Sequence, residues 1–323
     1  MFKLPTILTA DELIDKAYKK GAKAKPVKDK DKVVRARKSS IDKINIINDV
    51  IDSTLSKYVK IFPSFDNLPK FYYELIDVLI GIDDLKKSLG AIDWCRKEVR
   101  KVRNEITFQM KASMDYNEIF HLRKAGYGRI ASVVKQVSKN LDHLGKSKSV
   151  FEKLPEIDPE LKTIVIAGYP NVGKSLLVKN ISTANPKIAR YPFTTQNISI
   201  GYFEVKHIKY QVIDTPGLLD RDLKEQNMIE RQATSALRHL ADVIVFLLDP
   251  SEHCGYQIDV QLSLLERIRK LFGEDVPIIE AENKVDIKYI ESDRVKISAI
   301  TGAGVEVLIE KILETIPEEI PEP

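Results

Sequence analysis

A chain of 323 residues, 43% hydrophobic and 30% charged, is long enough for two domains of ordinary size and has the make-up of a globular protein with a sizeable core. Its formal charge of +4 hides an asymmetry, because residues 1–150 hold 31 Lys and Arg against 19 Asp and Glu while residues 151–323 hold 20 against 28. The longest aliphatic run, VIVFLL at 243–248, is too short to span a bilayer, and the first twenty residues lack a signal-peptide core. Cys95 and Cys254 stand far apart without CxxC spacing. The expectation is a cytoplasmic protein with reduced thiols and no membrane partner.

In chain order, the first distinctive stretch is KKGAKAKPVKDKDKVVRARKSS at 19–40, with ten Lys and Arg and two Asp up to residue 38. Gly21 and Pro26 argue against one continuous helix there. It reads either as a solvated linker or as an arm neutralising the phosphates of a structured RNA. Ile44, Ile47, Ile51 and Leu55 then mark a helix. Ile82, Leu85, Leu89, Ile92, Cys95, Val99, Val102 and Ile106 mark a longer one, with a seam of about seven turns. Ile130, Val133, Val137, Leu141 and Leu144 mark a third. Such helices predict an antiparallel bundle. Arg96, Lys97, Arg100, Lys101 and Arg103 fall beside that longer seam as a basic stripe, either a solvated face or part of an RNA-contacting surface. Phe71, Tyr72 and Tyr73 read as core.

The stretch FEKLPEIDPELK at 151–162 has two prolines and no period. It sets the expected boundary between an all-α basic bundle, 1–155, and a second domain, 156–323. Beyond it, short apolar runs alternate with amphipathic ones. Strands are predicted at 163–169, 198–205, 207–214, 243–248, 276–283 and 295–300, and helices at 174–182, 226–239, 259–272 and 305–315. This pattern with one hairpin predicts a mostly parallel sheet with helices on both faces, an α/β architecture. Gly201 is the one residue that sits badly in its predicted strand.

GYPNVGKS at 168–175 fits GxxxxGK[ST] between a strand and a helix. Backbone N–H groups of the loop from Gly168 through Tyr169, Pro170, Asn171, Val172 and Gly173 can turn around phosphate oxygens, and the helix N-terminus adds partial positive charge. Lys174 is placed to reach the β- and γ-phosphates, and the Ser175 hydroxyl to ligate Mg²⁺. Asp214 ends a strand in DTPG, where its carboxylate can hold Mg²⁺ directly or through water, and Gly217 can offer its N–H to the γ-phosphate. NKVD at 283–286 ends another strand. Guanine presents adjacent N1–H and N2–H₂ donors to the Asp286 carboxylate, whereas adenine would leave it unpaired. Asn283 can bond the other side of the base and tie loops together, and the Lys284 stem can lie along the ring. In SAITG at 298–302, Ser298 and Ala299 form the last wall, with the Ala299 N–H expected to meet the guanine O6. The expected ligands are GTP and GDP with Mg²⁺.

The ordered set GYPNVGKS, DTPG, NKVD and SA is similar to that of the translation-factor class of P-loop GTPases. RYPFTTQNISIGYF resembles the YPFTT switch of Obg-related members. With DTPGLLDRD, the run RQATSALRHLADVIVFLLDPS and a basic helical half in front, the chain resembles the Nog1 family, nucleolar GTP-binding protein 1. Eukaryotic members extend well beyond the G domain, so a chain ending at Pro323 resembles the short archaeal form. The resemblance implies GTP hydrolysis and a role in assembly of the large ribosomal subunit. It implies as partners the subunit precursor, ribosomal RNA, and ribosomal proteins or assembly factors. It also implies Thr195 as a Mg²⁺ and γ-phosphate ligand, with Thr194 as the alternative. Lys174, Thr195 and Gly217 would then carry the chemistry.

Leu218 follows the glycine where the best-studied relatives of the class carry a water-orienting glutamine. Three sources could replace it: a potassium ion on Asn171, as in several GTPases with a PN-x-GKS loop, a group supplied in trans by a partner, or Arg190 or Arg221 beside the switches. Slow intrinsic hydrolysis, stimulated by K⁺ or a ribosomal particle, is the expectation. Two other readings stay open: a GTP-gated protein-docking module, and an Obg-type or developmentally regulated GTPase of translation or stress.

Overall fold

The computed structural model describes residues 4–191, 197–216 and 234–316, together with Leu219 and Gln232. The chain divides into two compact units, one of Met1–Leu68 with Ile80–Glu152, the other of Pro69–Leu79 with Lys153–Pro323.

The first unit is built from α1 (Ala10–Ala22), α2 (Lys32–Ile61), α4 (Ile82–Ala112), α5 (Tyr116–Gln136) and α6 (Ser138–Phe151). Three of these helix starts, those of α1, α2 and α5, are set by side chains that accept orphan N–H groups. Thr9 and Glu12 form a reciprocal capping box, Asp31 accepts from Val33 and Val34, and Asp115 accepts from Asn117 and Glu118. Arg37, near the start of α2, donates to the Ser113 carbonyl just beyond α4 at 2.7 Å, while Asp52 late in α2 meets Arg100 at 3.0 Å. Helices α2 and α4 therefore run antiparallel, as predicted.

The predicted seams are buried, with two differences. Leu89 stands aside, and Ser88 takes the inward place, bonding His143 Nδ1 at 3.0 Å. The third seam crosses a break at Val137, whose φ of −100° and ψ of 14° end α5 and start α6. A single apolar period survives because the chain kinks there without losing its facing stripe. The 19–40 segment is not one helix: α1 stops at Ala22 and α2 begins at Lys32.

In the second unit a seven-stranded sheet runs in the order β2-β3-β4-β1-β5-β6-β7. Its strands are β1 (Lys162–Ala167), β2 (Lys187–Ala189), β3 (Ile198–Val205), β4 (Ile208–Asp214), β5 (Val243–Leu248), β6 (Ile278–Glu282) and β7 (Val295–Lys296). The β2–β3 and β3–β4 pairs are antiparallel and all others parallel. All six β5 residues are fully buried, the mark of a central parallel strand covered on both faces. Helices α7 (Lys174–Ile181), α8 (Ile258–Phe272) and α9 (Val305–Thr315) follow β1, β5 and β7. The architecture is thus a helical unit and a mostly parallel α/β unit. Of the helix predicted at 226–239, the described end is a 3-10 turn, Ala236–His239.

One helix departs from the expected cut at 155. Helix α3 (Lys70–Ile80) belongs for most of its length to the α/β unit. Phe71 and Tyr72 are fully buried. The Tyr72 hydroxyl lies 2.8 Å from the Pro155 carbonyl and 2.6 Å from that of Ile157, and accepts from the Ile157 N–H at 3.0 Å. Phe71 lies beside Tyr191, and Glu74 meets His239 at 2.7 Å.

Candidate nucleotide-binding site

The phosphate loop leaves the end of β1 pressed against its neighbour strand. Gly168 has φ +136°, and a Cβ there would stand 2.6 Å from the Leu247 carbonyl oxygen. Gly173 has φ +105°, and its Cβ would stand 2.2 Å from Asn283 Nδ2. Both positions exclude any side chain. Asn171 also takes a left-handed φ of 62°, which asparagine tolerates better than most residues. The loop curls around a buried cation: Lys174 Nζ donates to the Gly168 carbonyl at 2.8 Å and to that of Tyr169 at 3.0 Å. Val172 is fully buried, Pro170 half-buried, and the Tyr169 ring stacks on Tyr256 at 4.2 Å.

Ser175, in the first turn of α7, donates its hydroxyl to Asp214 Oδ2 at the end of β4. Asp214 is fully buried, and the pairing of Ile166 with Asp214 across β1 and β4 fixes it beside the loop. A hydroxyl and a carboxylate oxygen thus stand side by side at a helix N-terminus, a hard-oxygen pair suited to Mg²⁺. Among the described residues no cluster of three or more His, Cys, Asp and Glu could hold a metal by itself. A divalent ion here would take its remaining oxygens from water or a bound phosphate.

Asn283 joins this loop to the 298–302 turn. It follows β6, its N–H bonds the Leu248 carbonyl at 2.8 Å, its Nδ2 donates to the Val172 carbonyl at 2.7 Å, and its Oδ1 accepts from Ala299 N–H at 2.9 Å. The last bond corrects one expectation. The Ala299 N–H is held by Asn283 rather than facing outward, because the side-chain amide sits between the two loops and takes both. Asn180 of α7 also donates to the Ala299 carbonyl. Ser298 is buried and its Oγ accepts from Thr301 N–H at 3.2 Å, closing the turn. Asp286 is exposed, and its carboxylate forms no hydrogen bond or ion pair with the described residues.

Sequence reasoning saw Asp249 only as the end of an apolar run. It is fully buried and 2.6 Å from Lys284 Nζ. It also accepts from the Ser251 and Cys254 N–H groups. Burial alone would raise its carboxyl, but the bonds from Lys284, Ser251 and Cys254 outweigh this and hold it below the usual range. The available signal was an acid at the carboxyl end of a buried parallel strand, where ligand crevices form.

Thr194, Thr195, Gly217, Leu218 and Arg221 lie outside the described residues, while Arg190 is exposed. In the helical unit, the α4 stripe is largely neutralised: Arg96 and Lys97 pair with Asp93, Arg100 with Asp52 and Lys101 with Glu98. No helix among the described residues is long and apolar enough to cross a membrane.

Comparison with known proteins bears on the same two units. A family model described as the NOG1 N-terminal helical domain matches residues 2–158, and one described as nucleolar GTP-binding protein 1 (NOG1) matches residues 228–286. An uncharacterized protein of Methanocaldococcus jannaschii is 41% identical over 297 residues, covering 91% of this chain and 82% of that protein. Nucleolar GTP-binding protein 1 of Drosophila melanogaster is 36% identical over 256 residues, 79% of this chain and 39% of that protein. The chain spans between 39% and 52% of the curated relatives that carry this name. A crystal structure from Plasmodium falciparum, provisionally assigned as nucleolar GTP-binding protein 1, covers 50% of this chain and 90% of its own, with 36% identity and a TM-score of 0.46.

Proposed function

The chain belongs to the nucleolar GTP-binding protein 1 family, and on that premise we propose that it is a GTP-binding switch with slow hydrolysis, acting in assembly of the large ribosomal subunit. The observation that carries the nucleotide reading is the Asn283 amide, which clamps the phosphate loop at Val172 to the base-facing turn at Ala299. The amide ties together three of the four sequence signatures, and the bond from the Ser175 hydroxyl to Asp214 supports adding the fourth to the same site. In this reading Lys174 and the loop N–H groups hold the phosphates, and Ser175, Asp214 and Thr195 hold Mg²⁺, which neutralises phosphate charge. The Lys284 stem, anchored through Asp249, flanks the base, and Asp286 accepts both guanine donors.

Replacing Asp286 by asparagine swaps two acceptors for one acceptor and one donor. Asp286→Asn is therefore expected to lose GTP by about two orders of magnitude and to gain xanthosine triphosphate, whose C2 carries an oxygen. Titration of both nucleotides and ATP reads this directly. Equal affinity of the parent chain for ATP and GTP would overturn the guanine assignment.

Slow turnover follows from Leu218, which cannot orient water, and Asn171 is the group on which K⁺ would act. Hydrolysis in K⁺ is expected to exceed that in Na⁺, and brisk turnover in Na⁺ without a partner would contradict the switch reading. The helical unit is proposed as the ribosomal-RNA contact. Its support is the excess of cations before residue 150, most of which between Lys19 and Arg35 have no carboxylate partner among the described residues.

A further inference from the structure

A groove of about 340 Å³ opens at one end of the helical unit, between the first turns of α2 and α5, backed by Pro26 and Val27. One wall is Lys32, Arg35, Ala36 and Ser39; the other is Tyr116, Phe120 and Arg123. Both sets recur at steps of three and four, the facing stripe of a helix. Elsewhere in the bundle this stripe is filled with Ile, Leu and Val. Here small Ala36 and Ser39 leave space, and the stripe carries three cations and two exposed rings, Tyr116 at 40% and Phe120 at 48%.

The charges are open, unlike those of α4. Lys32 Nζ lies 4.3 Å over the Tyr116 ring and the Arg123 guanidinium 4.9 Å over that of Phe120. Arg35 bonds only the Asp29 carbonyl, at 3.4 Å. Among the described residues none of the three meets a carboxylate. The acids nearby are engaged: Asp29 with Lys38, Asp31 and Asp115 as helix caps, Glu118 with the Ser113 hydroxyl. Three open cations ask for an anion, and the rings ask for a flat partner. The volume lies at the lower end of small-ligand pockets, which run from about 300 Å³ upward, too narrow for a double helix.

We propose that this groove binds unpaired RNA, with a base stacked on Tyr116 or Phe120 and flanking phosphates held by Lys32, Arg35 and Arg123. The proposal rests on the reading of the helical unit as the RNA contact, and it places that contact at the open end of the bundle rather than on the neutralised α4 stripe. Lys32 and Arg123 exchange their weak ring contacts for phosphates when a base enters.

The test is fluorescence anisotropy of the full chain in GDP with a labelled single-stranded oligouridylate and with an RNA duplex. Y116L/F120L keeps apolar bulk and removes the π faces; it is expected to weaken single-strand binding about tenfold or more and leave the duplex unchanged. K32Q/R35Q/R123Q is expected to lower the slope of log affinity against log salt by about 2, while R100Q/K101Q on α4 changes little. Ultraviolet cross-links from the parent chain to the oligouridylate should map to 116–123. Parent-like binding by Y116L/F120L, or cross-links confined to other segments, overturns the groove. So does a variant that keeps RNA affinity while losing capture of a ribosomal protein. If the parent binds neither RNA, the RNA reading of the helical unit fails with it; if it binds and only the groove variants are silent, the groove alone falls.

Discussion

Asn283 commits both ends of its amide to the protein, to the Val172 carbonyl and the Ala299 N–H, at 2% exposure. Truncation to alanine would leave a buried carbonyl and a buried N–H without partners, each costing about 1–3 kcal/mol. Asn283→Ala should therefore lower the denaturant midpoint of the α/β unit and weaken GDP binding together, read by urea titration and calorimetry. Asp249 gives a prediction in pH. Its carboxyl is held below the usual range, so the unfolded chain takes up a proton first as pH falls through about 4. The stability it contributes is complete above that value and is lost as pH drops through the folded one. Glu282 acts with the same sign: burial would raise its carboxyl, and bonds from Lys296, Ser292 and Arg294 lower it on balance. Asp249→Asn should flatten, but not abolish, the fall of the urea midpoint between about pH 5 and pH 3; an unchanged slope would show that its carboxyl titrates alike in the folded and unfolded chain, and a steeper one that it is protonated in the native state.

At the scale of elements, the first turn of α7 carries Lys174 and Ser175, and its far end is fixed by a close approach to β3. A Cβ on Gly201 would stand 1.8 Å from Ser182 Oγ and 3.2 Å from Val178 Cγ1. Gly201→Val must push the helix off the strand, at a cost of about 1–3 kcal/mol or more. It should lower both the thermal midpoint and nucleotide affinity, whereas a mutation at the exposed Ile188 should lower neither. The same glycine shows what the sequence could reveal. It disturbed the strand pattern because the strand is crowded there, a fact only the partner helix explains. Strands β3 and β4 and helix α9 were legible because alternation and 3.6-residue periods run their full length. Three-residue β2 carries no period, and β7 stops at Lys296 because Ile297 onward turns into the 298–302 loop. The break at Val137 was hidden because the apolar spacing passes through it. Within the site, the order of motifs told which residues converge; the Ala299–Asn283 bond and the Asp249–Lys284 pair depend on loops meeting from distant strands, which spacing does not encode.

At the scale of the whole molecule, the two units divide the chain differently from its sequence, since α3 lies before residue 80 yet belongs with the α/β unit. The tie is chemical. Tyr72 is fully buried, and its hydroxyl accepts the Ile157 N–H and reaches the Pro155 and Ile157 carbonyls, so Tyr72→Phe leaves a buried donor unmatched, at about 1–3 kcal/mol. A ligand that binds one unit stabilises that unit alone, by about 2.7 kcal/mol at a hundred times its dissociation constant. If the proposed site is right, GDP should raise only the α/β transition in a thermal scan that resolves the two units. Tyr72→Phe should then lower the transition that GDP raises and leave the other in place, although position 72 is flanked in sequence by residues of the helical unit. Should the nucleotide-insensitive transition move instead, α3 would have to be returned to the bundle. That result would also detach the Tyr72 contacts from the stability of the nucleotide-binding unit.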